Sequence, residues 1–316
     1  MPQTPAHAPD DTGARKDPGQ PEMAASVIIP HYNDPVHLRE VLDRLEAQAA
    51  RLRSSAAVEI LVVDNGSTVD LAPLQRAHPS VRWLVEPQKG AANARNRGVA
   101  ASRAGLFAFI DSDCIPADDW LETALACARG PDIVGGRVDT HDESPPPRSG
   151  AEAFERVFAF NQKAYVMRMG FTGAGNFVVK KQVFEAVGPF VHGVSEDKDW
   201  CLRAGRLGYR IVYADNLVVS HPTRPDWPSL RRKWARLTEE SFGLAMQAPL
   251  GRLRWFARSF LVLASIPVHA VQLLLSPRLD TSGERLRGTA TLVAIRMRRF
   301  GWMLRQALTG EARTGG

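Results

Sequence analysis

The sequence has little cysteine, and its cysteines follow no metal-binding or disulfide spacing. The three cysteines among 316 residues are Cys114, Cys127 and Cys201. They match no zinc motif, and an odd, scattered set argues against a disulfide framework. The sequence therefore argues against a cysteine-stapled secreted module and against a structural zinc protein, and it indicates a reducing compartment.

The amino terminus lacks an apolar run. Residues 1–23 are rich in Pro, Asp, Ala and Gln, a composition typical of a disordered tail and not of a signal peptide. The whole chain, at 44% hydrophobic and 23% charged residues, has the composition of an ordinary globular protein. Its length allows one large domain or one and a half.

Positive charge is concentrated in the last third of the chain. The formal net charge is +6, but residues 224–316 alone hold 16 Lys+Arg against 6 Asp+Glu. Residues 1–223 are therefore slightly acidic, and we expect a basic appendage on a near-neutral body. Basic segments bind nucleic acid or anionic lipid. A set of solvated helix faces is the alternative interpretation.

The same C-terminal region contains apolar stretches. Residues 256–275 carry no charge from Ser259 onwards, but Pro267, His269 and Gln272 interrupt the run, so it is marginal for a membrane span of about 20 residues. Residues 288–308 alternate arginines with bulky apolar side chains, a pattern typical of a helix lying in the membrane surface. A soluble helical extension packed on the sheet is the alternative, and a true span is less favoured.

Short apolar runs alternate with helical patterns along the first two-thirds of the chain. Strands are predicted at 26–29, 58–63, 81–85, 106–110, 132–136, 177–179 and 209–213. Helices are predicted at 36–52, 90–100, 120–128, 151–165, 183–187 and 197–207, and a proline-rich linker or loop at 140–150. Strands that alternate with helices predict an α/β fold with a mostly parallel sheet.

Acidic side chains follow two of these strands directly. Asp64 ends the run 58–63, and Asp111 and Asp113 follow the run 106–110. Ligands of open α/β sheets bind outside the carboxyl ends of the strands. Two carboxylates two residues apart can share one divalent cation, and hard oxygen ligands suit Mg²⁺ or Mn²⁺. The sequence therefore predicts metal-assisted chemistry on a phosphorylated substrate.

Six segments, in this order, resemble the family 2 glycosyltransferases of the GT-A fold. They are residues 26–33, 62–68, 89–98, 109–113, 175–176 and 196–199. The resemblance covers residues 24–223 and leaves 224–316 as a basic helical extension. It implies a GT-A fold with a nucleotide-binding half and an acceptor half. It also implies a metal-dependent, inverting transfer of a sugar from a nucleoside-diphosphate sugar to an acceptor hydroxyl.

The resemblance also implies roles for single residues. The donor-binding residues would be Pro30, Tyr32, Asp64, Lys89, Arg95 and Asp111. Pro30 and Tyr32 would lie against base and ribose, and Asp64 would accept a hydrogen bond from the base. The metal ligands would be Asp111, Asp113 and His221, holding Mn²⁺ or Mg²⁺. Asp197 would be the general base, with Glu196 as the close alternative. Asn65 stands where the family often has a second acid.

Two other classes of function were weighed. A phosphohydrolase can also use Asp-x-Asp after a strand, but it places the motif near the start of its domain and gives Asp64 no role. A non-catalytic subunit of the same fold would not need Asp111, Asp113 and Asp197. We expect a glycan or lipid-linked acceptor, a cytoplasmic position at the inner face of the cell membrane, and no nucleic-acid partner, because no recognised module is present.

Overall fold

A computed structural model describes residues 23–127 and 129–314. The predicted disordered tail 1–23 lies outside the described residues except for Met23, which forms a parallel bridge with Ala104. The strands are β1 (Ala25–His31), β2 (Val58–Asp64), β3 (Arg82–Val85), β4 (Leu106–Ile110), β5 (Ile115–Pro116), β6 (Ile133–His141), β7 (Asn176–Lys180) and β8 (Ile211–Pro222). The helices are α1 (Pro35–Leu52), α2 (Ala72–Ala77), α3 (Ala91–Ala101), α4 (Trp120–Cys127), α5 (Gly150–Phe158), α6 (Gln162–Met169), α7 (Lys181–Val187), α8 (Glu196–Arg206), α9 (Trp227–Met246), α10 (Gly251–Ala264), α11 (Ile266–Leu274) and α12 (Ser282–Thr309).

These strands form one sheet in the order β3-β2-β1-β4-β7-β6-β8-β5. Strands β3, β2, β1 and β4 are parallel to one another, and β6 is parallel to β8. Strand β7 runs antiparallel between β4 and β6, and β5 runs antiparallel to β8. The predicted α/β fold with a mostly parallel sheet is confirmed. The direction of β7 was not predicted, because a short apolar run reads the same in either direction.

Helices cover both faces of the sheet, which is why its central strands are mostly apolar. On one face α1 and α4 pack against the sheet, and Trp120 is fully buried there. On the other face Phe107, Phe109, Phe184 and Trp200 form a cluster of aromatic rings. Trp200 is fully buried in this cluster and belongs to the core, and burial of one such ring contributes about 1.5–3 kcal/mol.

The carboxyl ends of β2, β1 and β4 meet at one edge of the sheet. His31 at the end of β1 is paired with Asp64 at the end of β2. Ile110 at the end of β4 is paired with Asn176 at the start of β7. Because β7 is antiparallel, the loop that precedes it enters at the same edge. This edge is where ligands of open α/β sheets bind.

Asn176 joins four elements beneath this edge. Its side-chain oxygen accepts a hydrogen bond from Trp120 Nε1 (2.9 Å), and its amide nitrogen donates to the carbonyls of Arg137 (2.9 Å) and Leu217 (2.8 Å). The side chain is fully buried. The residue therefore holds α4, β6 and β8 against β7, a structural role that the sequence motif alone did not distinguish from a ligand-binding one.

We expect Asn176→Ala to lower the free energy of unfolding by about 3 kcal/mol or more, because each buried partner left unsatisfied costs about 1–3 kcal/mol. Urea unfolding followed by tryptophan fluorescence measures the change. Asn216→Ala is the matched control, since Asn216 is exposed on β8 and should change stability by no more than about 0.5 kcal/mol. Similar small losses in the two variants would contradict the structural role.

The predicted helix 151–165 is wrong as a single element, because α5 and α6 are separated by residues 159–161. Phe160 has a φ of +51°, and its ring lies 4.7 Å from the His221 ring. Asn161 then caps α6 by accepting a hydrogen bond from the backbone N–H of Ala164 (3.2 Å). The sequence analysis did not identify this cap, because the predicted helix ran through it.

The predicted strand 209–213 is too short, because β8 continues to Pro222. The polar residues 215–216 concealed its continuation. The register of the β6–β8 pair shifts between Gly136 and Arg137, so a bulge separates the two halves of the ladder. The extension places His221 near the carboxyl end of β8, where it is paired with Thr140 of β6.

The C-terminal helices pack on α5. Ala153 and Phe154 of α5 share a buried cluster with Leu230 of α9 and with Leu292 and Ile295 of α12. The predicted domain boundary between residues 223 and 224 falls between β8 and α9. The basic extension therefore covers apolar side chains of α5, residues 150–158.

The predicted apolar stretch 256–275 forms two helices, α10 and α11, which meet at Ser265. Gly251–Leu274 is the one helical stretch of the described residues that is long and apolar enough to cross a membrane, and only 17% of its most apolar window is buried. Leu261, Val268 and Leu275 are 68–76% exposed. The stretch therefore presents an apolar face to the surroundings of the protein.

Candidate active site

The loops after β1 and β2 are bonded to each other at the sheet edge. Asn33, with a φ of +55°, accepts a hydrogen bond from the backbone N–H of Thr68 (2.7 Å) and donates its own N–H to Ser67 Oγ (2.8 Å). Asp64 accepts a hydrogen bond from the backbone N–H of Ser67 (3.2 Å). The helix cap of α1 is Asp34, which leaves Asn33 free to fix this loop pair.

The predicted donor-side residues surround these loops. Pro30 and Tyr32 lie at the end of β1, and Tyr32 is half exposed. Lys89 is exposed, with its Nζ 5.8 Å from the centre of the Tyr32 ring. Asn65 is buried and binds backbone only: its amide donates to the carbonyls of residues 86 and 88 and accepts from the N–H of Gly90. Where the family often has a second acid, this chain therefore has an amide that holds the loop in place through its backbone.

Asp111, Asp113 and Cys114 present possible ligand atoms within 4.8 Å of one another. Burial, reinforced by Asp113, raises the pKa of the Cys114 thiol well above its ordinary value. The thiol therefore stays protonated and is a poor ligand for a hard cation. Gly175 faces this group, because a Cβ at that position would lie 2.7 Å from Asp111 Oδ2. The two carboxylates are left as the ligand set of this turn.

His221 joins Asp113 from the end of β8. Its Nε2 lies 3.2 Å from Asp113 Oδ2, and its Nδ1 donates to the carbonyl of Pro222 (2.6 Å). This bond fixes one proton on Nδ1, so a protonated imidazole directs its Nε2–H at Asp113, and a bound cation would take the place of that Nε2 proton. Two cis ligands of an octahedral Mg²⁺ with bonds of about 2.1 Å are roughly 3 Å apart. The pair therefore fits a divalent cation, and a carbonyl-oriented histidine is the usual form of such a ligand.

Arg224 is a neighbour of this group that the sequence analysis missed. Its guanidinium lies 3.9 Å from Asp113 Oδ2. Burial would raise the pKa of Asp113, but His221 and Arg224 outweigh burial and hold that pKa well below its ordinary value. Asp113 is therefore an anion at neutral pH. The only sequence signal for Arg224 is its position three residues after His221.

Arg95 connects the two acidic sites of the predicted active centre. This buried arginine of α3 donates to Asp111 Oδ1 (2.6 Å) and to Glu196 Oε1 (2.8 Å). Burial disfavours its charge, but Asp111 and Glu196 outweigh burial and raise its pKa. The sequence predicted a contact of Arg95 with nucleotide or diphosphate. In the structure both ends of its guanidinium bind carboxylates, and the contact with the donor stays a prediction.

Asp197 follows Glu196 at the start of α8. Burial raises its pKa, the neighbouring Glu196 adds to the shift, and Arg95 with the backbone N–H of Lys198 opposes it, so that the pKa is about 6. Glu196 is neutralised by Arg95, whereas Asp197 has no ion pair within the described residues. Asp199, two residues on, pairs with Arg203 one turn later on the same helix (2.9 Å).

Glu240 of α9 is a second residue that the sequence analysis did not find. Burial raises its pKa, and the charges of Glu196 and Asp197 add to this against the opposing effect of Arg236, giving a pKa of about 7. The C-terminal extension therefore contributes a carboxylate beside the predicted base. No local motif marks it, because the proximity depends on how α9 packs on the loop at Gly193.

A family model described as glycosyl transferase family 2 matches residues 26–190. A similar protein is the glycosyltransferase AglE of Haloferax volcanii, with 31% identity over 218 residues, 66% of this chain and 70% of that protein. A pre-mycofactocin glycosyltransferase of Mycobacterium tuberculosis is 29% identical over 224 residues, 66% of this chain and 45% of its own length. The family-model match thus covers β1 to β7 with Asp111 and Asp113, and it ends before Asp197 and His221.

A similar solved structure is that of the mannosyltransferase PcManGT from Pyrobaculum calidifontis, in complex with GDP-Man and Mn²⁺. The TM-score is 0.55 at 17% identity, over 87% of this chain and 86% of that one. Identity at this level shows the fold alone. The likeness extends beyond the family-model match and includes part of the C-terminal helices.

Proposed function

This chain belongs to the family 2 glycosyltransferases, and from that premise we propose a metal-dependent, inverting transfer from a nucleoside-diphosphate sugar to an acceptor hydroxyl. The GT-A fold and the glycosyltransferase class that the sequence motifs indicated are confirmed. The phosphohydrolase alternative does not agree with this membership. We propose the donor class, the metal, the acceptor class and the roles of single residues.

The donor would occupy the edge formed by β2, β1 and β4. Tyr32 and Pro30 offer the surface for base and ribose, and Asp64 offers a carboxylate that is already oriented by Ser67. Lys89, exposed beside Tyr32, can reach a phosphate. Arg95 contributes indirectly, because it orients Asp111.

Asp113 and His221 would hold a divalent cation, with Asp111 as the further carboxylate. Their separation of 3.2 Å and the orientation of His221 by the Pro222 carbonyl support this assignment. When bound, Mg²⁺ or Mn²⁺ neutralises the negative charge of a diphosphate leaving group. Arg224 lies close enough to Asp113 to bind the same diphosphate.

Asp197 would take the proton from the acceptor hydroxyl as that hydroxyl attacks the anomeric carbon. A base is most effective when its pKa lies near the working pH, and a pKa of about 6 meets this condition. Glu196 binds Arg95 and so has less capacity to accept a proton. Direct attack from the face opposite the diphosphate inverts the anomeric configuration.

A glycan or lipid-linked acceptor at a membrane surface agrees with the C-terminal helices. Their apolar residues are exposed along α10 and α11, and arginines lie beside them on α12. Such a surface supports peripheral attachment at the inner face of the cell membrane, as proposed from the sequence.

One observation carries the proposal. Asp113 and His221 lie together at the carboxyl ends of the strands, and Arg95 joins Asp111 of this group to Glu196, the neighbour of Asp197. The test is a thermal-shift panel of UDP, GDP and dTDP, each with and without Mn²⁺. We expect one nucleotide to raise the melting temperature only when Mn²⁺ is present, because a ligand that binds the folded state stabilises it by mass action. Equal shifts with and without the metal would contradict the metal dependence, and no shift with any nucleotide would contradict the donor class.

A further inference from the structure

Three arginines lie together between α10 and α12, and we name Arg258, Arg296 and Arg299 the arginine cluster. The Arg299 guanidinium lies 4.5 Å from the centre of the Trp234 ring. The Phe260 and Phe300 rings, 5.3 Å apart, join the two helices beside it. The charges of Arg258 and Arg296 are close enough to act on Arg299.

The described parts of the chain offer this cluster no counter-charge. No salt bridge of residues 23–127 and 129–314 involves any of the three arginines. The Nε atoms of Arg296 and Arg299 and the Nε1 of Trp234 are buried without a hydrogen-bond acceptor. Burial lowers the pKa of Arg299, and Arg296 and Arg258 lower it further, to about 9. Arg296 contacts His269 Nδ1 (3.5 Å), and the exposed Arg258 lies over the Trp255 ring (5.6 Å), but neither contact supplies a negative charge. Buried donors without acceptors are costly, and an anion bound among these arginines would remove that cost.

The surroundings of the arginine cluster indicate which kind of anion binds there. On one side, Arg258 adds to burial in lowering the pKa of Lys198, the neighbour of Asp197. On the other side lies the exposed apolar face of α10 and α11, with Leu261 68% and Val271 55% exposed. An anion that continues into an apolar chain matches both surroundings.

We propose that the arginine cluster binds the phosphate group of a phosphorylated lipid, with the lipid chain lying along α10 and α11. Guanidinium groups form paired hydrogen bonds with phosphate oxygens, and the buried Nε and Nε1 donors supply further ones. Resting on the proposed function, this site holds a lipid with a terminal, unsubstituted phosphate beside the acceptor half that contains Asp197. The donor diphosphate is a separate ligand, assigned to Asp113, His221 and Arg224.

The test is vesicle flotation in high salt, which screens non-specific attraction. Vesicles of phosphatidylcholine carry equal mole fractions of either phosphatidic acid, with an exposed phosphate, or phosphatidylglycerol, with a substituted one. We expect the unmodified protein to prefer phosphatidic acid by about tenfold, and the double variant Arg296→Gln, Arg299→Gln to lose that preference. Arg298→Gln combined with Arg305→Gln is the charge-matched control on the same helix and should retain it.

Equal behaviour of the two double variants would overturn the proposal, as would an unmodified protein that does not discriminate between the vesicles. Stabilisation by inorganic pyrophosphate without any preference among vesicles would indicate a soluble anion and overturn the lipid assignment. The nucleotide thermal-shift assay is run on the same variants. Loss of the lipid preference with nucleotide binding intact supports the cluster, whereas failure of nucleotide binding in the unmodified protein tells against the proposed function alone.

Stability separates a binding role from a structural one. Removing uncompensated buried cations should leave the melting temperature unchanged or raise it. Arg299→Lys provides a second variant that keeps the charge but not the paired donors. We expect it to fold normally and to lose part of the preference for phosphatidic acid. A folded Arg299→Lys protein with full preference would overturn the assignment of Arg299.

Discussion

Replacing Asp197 with asparagine is expected to lower kcat by about 10²–10⁴-fold, the usual contribution of a general base. The variant keeps the size of the side chain and removes only its ability to accept a proton. Nucleotide binding, measured by the thermal-shift assay, should be unchanged, because no predicted donor residue contacts Asp197. A loss of nucleotide binding together with kcat would show that the residue acts in donor binding instead.

The pH dependence of kcat provides an independent check. The base must be deprotonated to act, and its pKa is about 6, so kcat should fall as the pH drops below about 6. In Asp197→Asn the residual activity should lose this acidic limb. Glu196→Gln is the matched control, and its effect on kcat should be milder because Glu196 binds Arg95. A severe Glu196→Gln defect with a mild Asp197→Asn defect would require the two roles to be exchanged.

Replacing Asp113 with alanine is expected to abolish Mn²⁺-dependent nucleotide binding. The change removes the carboxylate that faces His221 Nε2 and leaves the imidazole without its companion ligand. Isothermal titration with the nucleotide selected by the thermal-shift panel, in the presence of Mn²⁺, measures the loss. We expect affinity to fall by at least about 100-fold, the upper range for losing even an outer-shell partner of a metal site.

The control for Asp113→Ala is Asp118→Ala. Asp118 is 94% exposed, and its ion pair with Arg44 at 3.4 Å is a surface contact of little energetic consequence. This variant should bind metal and nucleotide as the unmodified protein does. Unchanged affinity in Asp113→Ala would remove Asp113 from the metal site.

The parallel half of the fold could be predicted because its signals are local. The apolar runs 27–30, 60–63 and 106–110 lie in β1, β2 and β4, and a polar residue follows each run at the carboxyl end of the sheet. The antiparallel β7, the break at Phe160 and the continuation of β8 depend on pairing between distant segments. Such pairing leaves no periodic signal in the strand itself.

The candidate site divides in the same way. Asp111, Asp113 and Asp197 stand out because of motif spacing, and the structure places their side chains at one edge. The contacts of Arg95, Arg224 and Glu240 could not be predicted, since each partner lies on an element distant in sequence. Asn176 shows the converse: it lies in a recognisable motif, but its three hydrogen bonds serve the packing of the sheet.

Arg95 has a mechanical consequence for the cleft. Its single guanidinium fastens the floor of the donor side, at Asp111, to the first turn of the helix that carries the acceptor side, at Glu196. Moving the two sides apart would separate a buried cation from at least one of its counter-ions, which is unfavourable. We therefore expect the two sides of the cleft to keep a fixed separation. Substrates would then enter and leave through movement of the loops at the opening of the cleft, and not through a hinge motion of its two sides.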